Sequence, residues 1–189
     1  MLGTDKMTIM QKNDFKPHPP SGDKKAACLL ALDLGLTTGW AYQANNGLIT
    51  SGTVNFKPSR YEGGGIRYLR FSHWLDEMLT LCERVDALFF EEVRAHRGVD
   101  AAHIYGGFLS HLTAACEKHS LPYVGVPVGT LKKHITGRGN ADKNSMVKAV
   151  SALGYHPQDD NEADALALLL WAREQKTFLK SPSLKGDQQ

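Results

Sequence analysis

The sequence predicts an α/β domain, a mixed sheet in which a three-strand antiparallel meander is joined by parallel strands and flanked by helices. Three observations predict it. Two short apolar runs, residues 29–32 and 87–90, each end in acid, at Asp33 and at Glu91-Glu92. Continuous apolar runs of that length read as buried strands. Asn45-Asn46-Gly47 separates two further strand-like segments, 39–44 and 48–56, and Asn-Gly is a strong hairpin signal. Apolar residues at helical spacing then recur from Phe71 and again from Ala101.

The first run carries the most information. Leu29-Leu30-Ala31-Leu32 leads into Asp33-Leu34-Gly35-Leu36-Thr37-Thr38-Gly39. A carboxylate in an apolar setting is costly unless it is neutralised, solvated at a strand end or bound to a cation. Taken alone, Asp33 also reads as a turn residue ahead of a glycine. The second run repeats the pattern, which favours a shared purpose. Parallel strands place their C-terminal ends on one sheet edge, where α/β proteins bind ligands. Asp33 can therefore stand beside Glu91 or Glu92, and the alternation of side chains along a strand allows only one of the two.

Residues 1–25 mix Lys, Asp, Gly and Pro around His18-Pro19-Pro20 without any period and read as a disordered arm. Residues 57–65 are polar and glycine-rich, hence a loop. Phe71, Trp74, Leu75, Met78, Cys82 and Val85 share the face of a core-facing helix. Arg94-Ala95-His96-Arg97-Gly98 is a basic loop after the second acid. Ala101, Tyr105, Phe108, Leu109, Leu112, Ala115 and Cys116 mark a second helix. Gly106-Gly107 inside it weaken it by roughly 1 kcal/mol each relative to alanine. Either tertiary packing tolerates them or a close backbone or ligand requires them.

Residues 122–127 form a short strand. Residues 130–148 carry Lys132, Lys133, Arg138, Lys143 and Lys148 against one acid, Asp142. Gly137-Arg138-Gly139-Asn140 interrupts that stretch, and Asp142 or Asn140 caps a helix running to about Leu153. A glycine-flexed basic loop ahead of a helix start suits phosphate groups, and a solvated face is the plainer alternative. The last helix, from Gln158 to about Gln175, is apolar nearly all round and therefore buried. Asp159-Asp160-Asn161-Glu162 stands at its start, where the helix dipole favours acid. Asp164 follows inside it, with Asp160 and Asn161 on the same face. Residues 177–189 read as a loose tail, so the folded domain is expected over 26–176.

Composition narrows the class. With 42% hydrophobic and 22% charged residues the chain is globular. A net charge of +2 is too small to argue for a nucleic-acid partner by itself, so the location of the charge decides. The three cysteines, Cys28, Cys82 and Cys116, lie far apart in apolar segments. They read as buried free thiols, without zinc or disulfide spacing, which fits a reducing cytoplasm. No apolar run reaches membrane-spanning length, and the N-terminus lacks the apolar core of a signal peptide.

Acids on two strand ends and a helix start can converge. Gathered carboxylates repel, so such a site persists only with bound cations or bound protons. Hard oxygen donors with few histidines suit Mg²⁺ or Mn²⁺ rather than zinc. Two such ions about 4 Å apart would clamp the attacking water and the leaving oxygen of a phosphodiester. The nearby lysines would hold the flanking backbone.

The motifs resemble those of the RuvC family of Holliday-junction resolvases, which have an RNase H-like fold, over about residues 28–173. Ala31-Leu32-Asp33-Leu34-Gly35 with Thr38-Gly39-Trp40-Ala41 is similar to the family's first catalytic strand and the strand after it. Phe90-Glu91-Glu92-Val93 is similar to its Ile-Glu-Gln-Val stretch. Lys132 and Lys143, with Gly137-Arg138-Gly139-Asn140-Ala141-Asp142 between them, match its paired lysines around a Gly-x-Gly turn. Glu162-Ala163-Asp164-Ala165-Leu166-Ala167 is like its final motif.

The resemblance implies that Asp33, Glu91, Asp164 and Lys143 are catalytic. It makes Asp33, Glu91, Asn161 and Asp164 the ligands of two Mg²⁺ ions, with Mn²⁺ as a substitute. It implies Mg²⁺-dependent hydrolysis of branched DNA at a four-way junction, leaving 5′-phosphate and 3′-hydroxyl ends, by a homodimer that cuts opposing strands in recombination and repair. Lys132, Lys133, Arg138, Lys143, Arg94 and Arg97 are then expected to contact DNA. Two departures stand out. The family usually has Asp or His three residues before its last Asp; here that position is Asn161, with Asp160 the alternative ligand. The aromatic often found after the glutamate motif is replaced by Arg94, leaving Tyr105 or His96 for its role. Rival readings are a nonenzymatic junction-binding protein, an RNase H-like nuclease acting on other branched or hybrid nucleic acids, and a sugar-kinase or actin-like ATPase. The last needs two such domains, and the chain is too short for them.

Overall fold

The structure, a computed structural model, describes residues 26–94 and 98–175. The expected arm (1–25) and tail (177–189), together with His96 and Arg97, lie outside the described residues. Both acid-terminated runs form strands, β1 (Leu29–Asp33) and β4 (Ala87–Glu92), which pair in parallel with Leu32 opposite Phe90. β2 (Thr37–Gln43) and β3 (Ile49–Asn55) complete the meander around Gly47, whose φ of 81° glycine adopts freely. β5 (Tyr123–Pro127) pairs in parallel with β4, giving the order β3-β2-β1-β4-β5. The C-terminal ends of β1, β4 and β5 thus share one sheet edge with the start of β2 and the end of β3.

Helices cover both faces. α1 (Ile66–Leu81) and α2 (Val99–Lys118) pack on one face against Leu30, Leu32, Leu88 and Phe90. Phe56, Phe71, Trp74 and Phe108 fill that layer, with Phe71 and Phe108 ring centroids 5.0 Å apart and nearly perpendicular. A fully buried side chain of this size stabilises by roughly 2–3 kcal/mol, so this cluster locks α1 and α2 together. α3 (Val128–Thr136), α4 (Lys143–Ala152) and α5 (Asp160–Glu174) lie on the other face, over Leu29, Ala31, Ala87 and Phe89. α3 has no counterpart in the sequence-based expectation: it buries Leu131 alone, so it leaves no apolar period to read.

α5 buries Ala163, Ala165, Ala167 and Ala172 beside Leu166, Leu168 and Leu169. Small residues on the helix, and Ala31 and Ala41 on the strands, let it come close to the sheet. The approach is tightest at Gly39, where a Cβ would collide with the main-chain carbonyl of Asn161. The two glycines of α2 prove different. A Cβ on Gly107 would run into the Tyr68 ring, so close packing of α1 requires that glycine, whereas a Cβ on Gly106 would meet nothing within 4 Å. Among the described residues no helix is long and apolar enough to cross a membrane.

These contacts give a paired prediction. Gly39→Ala is expected to lower unfolding free energy by about 2–3 kcal/mol, because the obstacle is backbone and cannot swing aside. Gly106→Ala is expected to raise it by about 0.5–1 kcal/mol through helix propensity. Urea midpoints at unchanged m-value would check both signs.

Candidate functional site

Strand alternation settles which acids can meet. Ala87 and Phe89 point toward α5 while Leu88 and Phe90 point toward α1 and α2. Glu91 therefore shares the α5 face with Asp33, and Glu92 points the opposite way, to Arg94 at 3.1 Å. The Asp33 and Glu91 carboxyls act on each other's titration, and the charge of Asp164 on α5 reaches Asp33 as well.

Burial, then the charge of Glu91 and of Asp164, pushes the Asp33 carboxyl well above the ordinary carboxylate range. Burial also raises Glu91, while its bond to Asp33 and the charges of Lys132 and Lys143 hold it back. Asp164 is pushed up to about 7, first by burial and next by the charge of Glu91, against the opposing pull of Lys132 and Lys143.

Secondary structure fixes the supporting groups. Tyr105 is buried, and its hydroxyl donates to the Glu91 carbonyl at 2.8 Å and accepts from the Val93 N–H at 3.3 Å. It braces the β4 terminus from within and is not presented to a ligand, which removes it as a substitute for an exposed aromatic. The turn after Asp33 is closed by Thr38, whose hydroxyl donates to the Gly35 carbonyl at 2.8 Å.

Glu162 is a residue the sequence did not single out. It is buried, accepts from Ser51 Oγ and from the Gln158 N–H at 2.7 Å each, and so ties the start of α5 to β3. Asp159 caps the same helix by accepting from the Glu162 N–H at 2.9 Å. A signal existed in Glu162 falling beside apolar Ala163, but a glutamate in a first helical turn is ordinarily solvated.

The basic residues divide in two. Lys132 is half-buried and donates to the Ala141 carbonyl at 2.6 Å, and its charge acts on Glu91 and Asp164. Lys143, the first residue of α4, is paired with Asp160. That bond lowers the Asp160 carboxyl and raises the Lys143 amine. Asp142 caps α4 by accepting from the Ser145 N–H at 2.7 Å. Lys133, Arg138 and Arg94 are exposed. Asn161 is half-buried, with its main chain against Gly39, the residue opposite Asp33 in the β1–β2 register.

Among the described residues the side chains do not close into a ready-made group of three or more His, Cys, Asp or Glu for a metal ion. The donor chemistry nonetheless fits a hard divalent cation. Asp33, Glu91 and Asp164 are oxygen donors whose carboxyls burial raises, and a bound cation would favour their charged forms.

A mixed five-stranded sheet in this order, flanked by five helices among the described residues, matches the RuvC-type, RNase H-like fold. No family model matches the sequence. Solved structures do resemble it. Thermus thermophilus RuvC in complex with a Holliday junction substrate superposes with a TM-score of 0.66 at 24% identity, over 78% of this chain and 95% of that one. A second Thermus thermophilus RuvC structure gives 0.64 at 24% identity, over 77% and 95%. The yeast mitochondrial Holliday junction resolvase Ydc2 gives 0.56 at 14% identity, over 81% and 80%. These likenesses establish the fold.

The Asp164 carboxyl yields a pH prediction. An acid whose pKa rises on folding binds more protons folded than unfolded between its ordinary 3.8 and about 7. Stability contributed by the protonated form is therefore lost as pH rises through that window. In EDTA, Asp164→Asn is expected to gain on the wild type by roughly 2–4 kcal/mol between pH 4.5 and pH 8. Thermal or urea unfolding of both chains across that range measures the difference. A constant difference at all pH values contradicts it.

Proposed function

We propose that this chain is a divalent-metal-dependent endonuclease that resolves four-way DNA junctions as a homodimer. One observation carries the reading: Asp33 and Glu91 end the neighbouring parallel strands β1 and β4 on the face that α5 covers, and Asp164 of α5 and the lysines Lys132 and Lys143 are near enough for their charges to act on them. The arrangement occurs in a fold whose solved examples include resolvases.

In this reading Asp33, Glu91, Asp164 and Asn161 hold two Mg²⁺ ions, which Mn²⁺ can replace. When bound, the ions supply Lewis-acid polarisation of a phosphodiester and a more acidic water. The chain's residues do the rest. Asp33 and Glu91 would hold the ions as carboxylates. Asp160 is engaged by Lys143, which favours Asn161 as the fourth ligand. Lys143 changes partners from Asp160 to the phosphate at the cut, and Lys132 keeps the flanking backbone in register. Lys133, Arg138 and Arg94 face solvent, where they can meet phosphates without desolvation cost; Arg97, outside the described residues, joins them in this proposal. Burial raises the Cys28, Cys82 and Cys116 thiols above their ordinary range, which suits a protein of the reducing cytoplasm.

The neutral Asn161 also supports a second reading, a protein that binds junctions without cutting them. A labelled synthetic four-way junction separates the two. Paired symmetrical nicks are expected in Mg²⁺ and none in EDTA, with Asp33→Asn slower by roughly 100-fold or more. Tight junction binding with no cleavage in Mg²⁺ or Mn²⁺ would establish the second reading. Equal cutting of linear duplex would keep the chemistry and discard the junction.

A further inference from the structure

The loop between β3 and α1 has no part in the site described so far, yet it rises from the same sheet edge. Its root is fixed there: the Phe56 N–H donates to the Leu36 carbonyl, in the turn after Asp33, at 2.7 Å, and the Phe56 ring is buried under α1 and α2. The loop body is braced from inside. Glu62 pairs with Arg70 at 2.7 Å and accepts from the Ser59 N–H at 2.7 Å, while Arg67 Nε donates to the Gly64 carbonyl at 2.6 Å.

This bracing leaves Tyr61 presented outward. It is 93% exposed, and the Arg60 guanidinium lies over its ring at 5.9 Å. A large apolar ring held in water on a braced loop is a surface in want of a partner. The surrounding charge identifies that partner. Lys57, Arg60, Arg67 and Arg70 stand against a single acid, Glu62, which Arg70 already neutralises. In the sheet the acid-bearing strands β1 and β4 lie between β3, which this loop leaves, and β5, which the α3–α4 region follows. Nucleic acid meets both demands, offering phosphates to the cations and the flat face of an unpaired base to the ring.

We infer that the β3–α1 loop is a second DNA-contacting arm, in which Tyr61 stacks on an unpaired base at the branch point while Arg60 and Lys57 hold the adjoining phosphates. This rests on the junction-resolving function proposed above. In an intact duplex the bases are stacked on one another, so Tyr61 contributes to junction binding and not to duplex binding. Arg60 contributes to both.

The test measures binding of the full chain carrying Asp33→Asn, so that DNA is bound and left uncut. The probes are a four-way junction with 2-aminopurine at the branch point and a linear duplex of the same arms. Tyr61→Ala is expected to weaken junction binding by about 5- to 100-fold and to abolish the 2-aminopurine change. Duplex binding stays the same, and Tyr61→Phe retains both signals. Arg60→Gln is expected to weaken both probes alike and to reduce the salt slope by about one. A junction-preferring parent whose Tyr61→Ala variant binds equally well, with the same fluorescence change, overturns the stacking role and leaves the resolvase reading intact. A parent without junction preference overturns both. The exposure of Tyr61 means that its replacement removes no core contact, so lost binding cannot be ascribed to misfolding.

Discussion

Helix α5 lies directly on the backbone of β2, and the rest of the site depends on that contact. Gly39 permits it, because any side chain there would occupy the space of the Asn161 carbonyl. Gly39 is also the residue opposite Asp33 in the sheet. The contact therefore sets how far the acids of α5 stand from the acids of β1 and β4. Ser51 and Glu162 make it specific by fastening the helix start to β3 through a half-buried hydrogen bond. The alanine-rich body of α5 keeps the helix close along its length. Proximity of the carboxyls is thus a consequence of packing. It does not arise from attraction among the acids, which repel one another.

That repulsion gives the site its character. Burial raises Asp33, Glu91 and Asp164 together, and the charge of Glu91 raises Asp33 and Asp164 further. Lys132 and Lys143 temper the effect without removing it. Lys132 is anchored to the Ala141 carbonyl and Lys143 is drawn off by Asp160, so neither forms a direct ion pair with the three crowded acids. An edge built this way stores unfavourable charge in the folded state, and core packing must outweigh it. The two hydrophobic layers do so: the aromatic cluster under α1 and α2 on one face, and the Leu and Ala contacts of α5 on the other.

Much of this was legible in the sequence, and for identifiable reasons. The apolar runs ending at Asp33 and at Glu91 gave parallel strands because continuous apolarity has few other meanings over such lengths. Asn45-Asn46-Gly47 gave the hairpin because a left-handed turn residue was needed and Gly47 supplied it. The choice of Glu91 over Glu92 was not open to periodicity alone. The family resemblance pointed to Glu91, and the face that α5 covers supplies the physical reason. α3 was hidden because Leu131 alone points inward, and α1 begins before its periodic face because its first turn is mostly partly exposed. Tyr105 does lie on the buried face of α2, as its spacing predicts, but a second role as an exposed ring was open for a related reason. An aromatic on a helix can be core or surface, and the hydroxyl bonds that tie it to Glu91 and Val93 depend on a register between helix and strand that sequence spacing does not encode.

The distribution of positive charge follows from the same topology. Because the meander reverses direction twice, the end of β3 comes to the edge where β1, β4 and β5 also end. Segments remote in sequence, residues 57–65 and 128–152, thereby leave the same sheet edge at which the acid-bearing strands end. A chain with a net charge of only +2 can in this way present concentrated positive charge where it is needed. The acids at the centre repel a polyanion, and the cations on either side attract it. A phosphate backbone crossing the edge would therefore be held by its flanks and brought to the carboxylates at a single point. Cations bound among those carboxylates would turn local repulsion into attraction, so metal binding and nucleic-acid binding at this edge would strengthen each other.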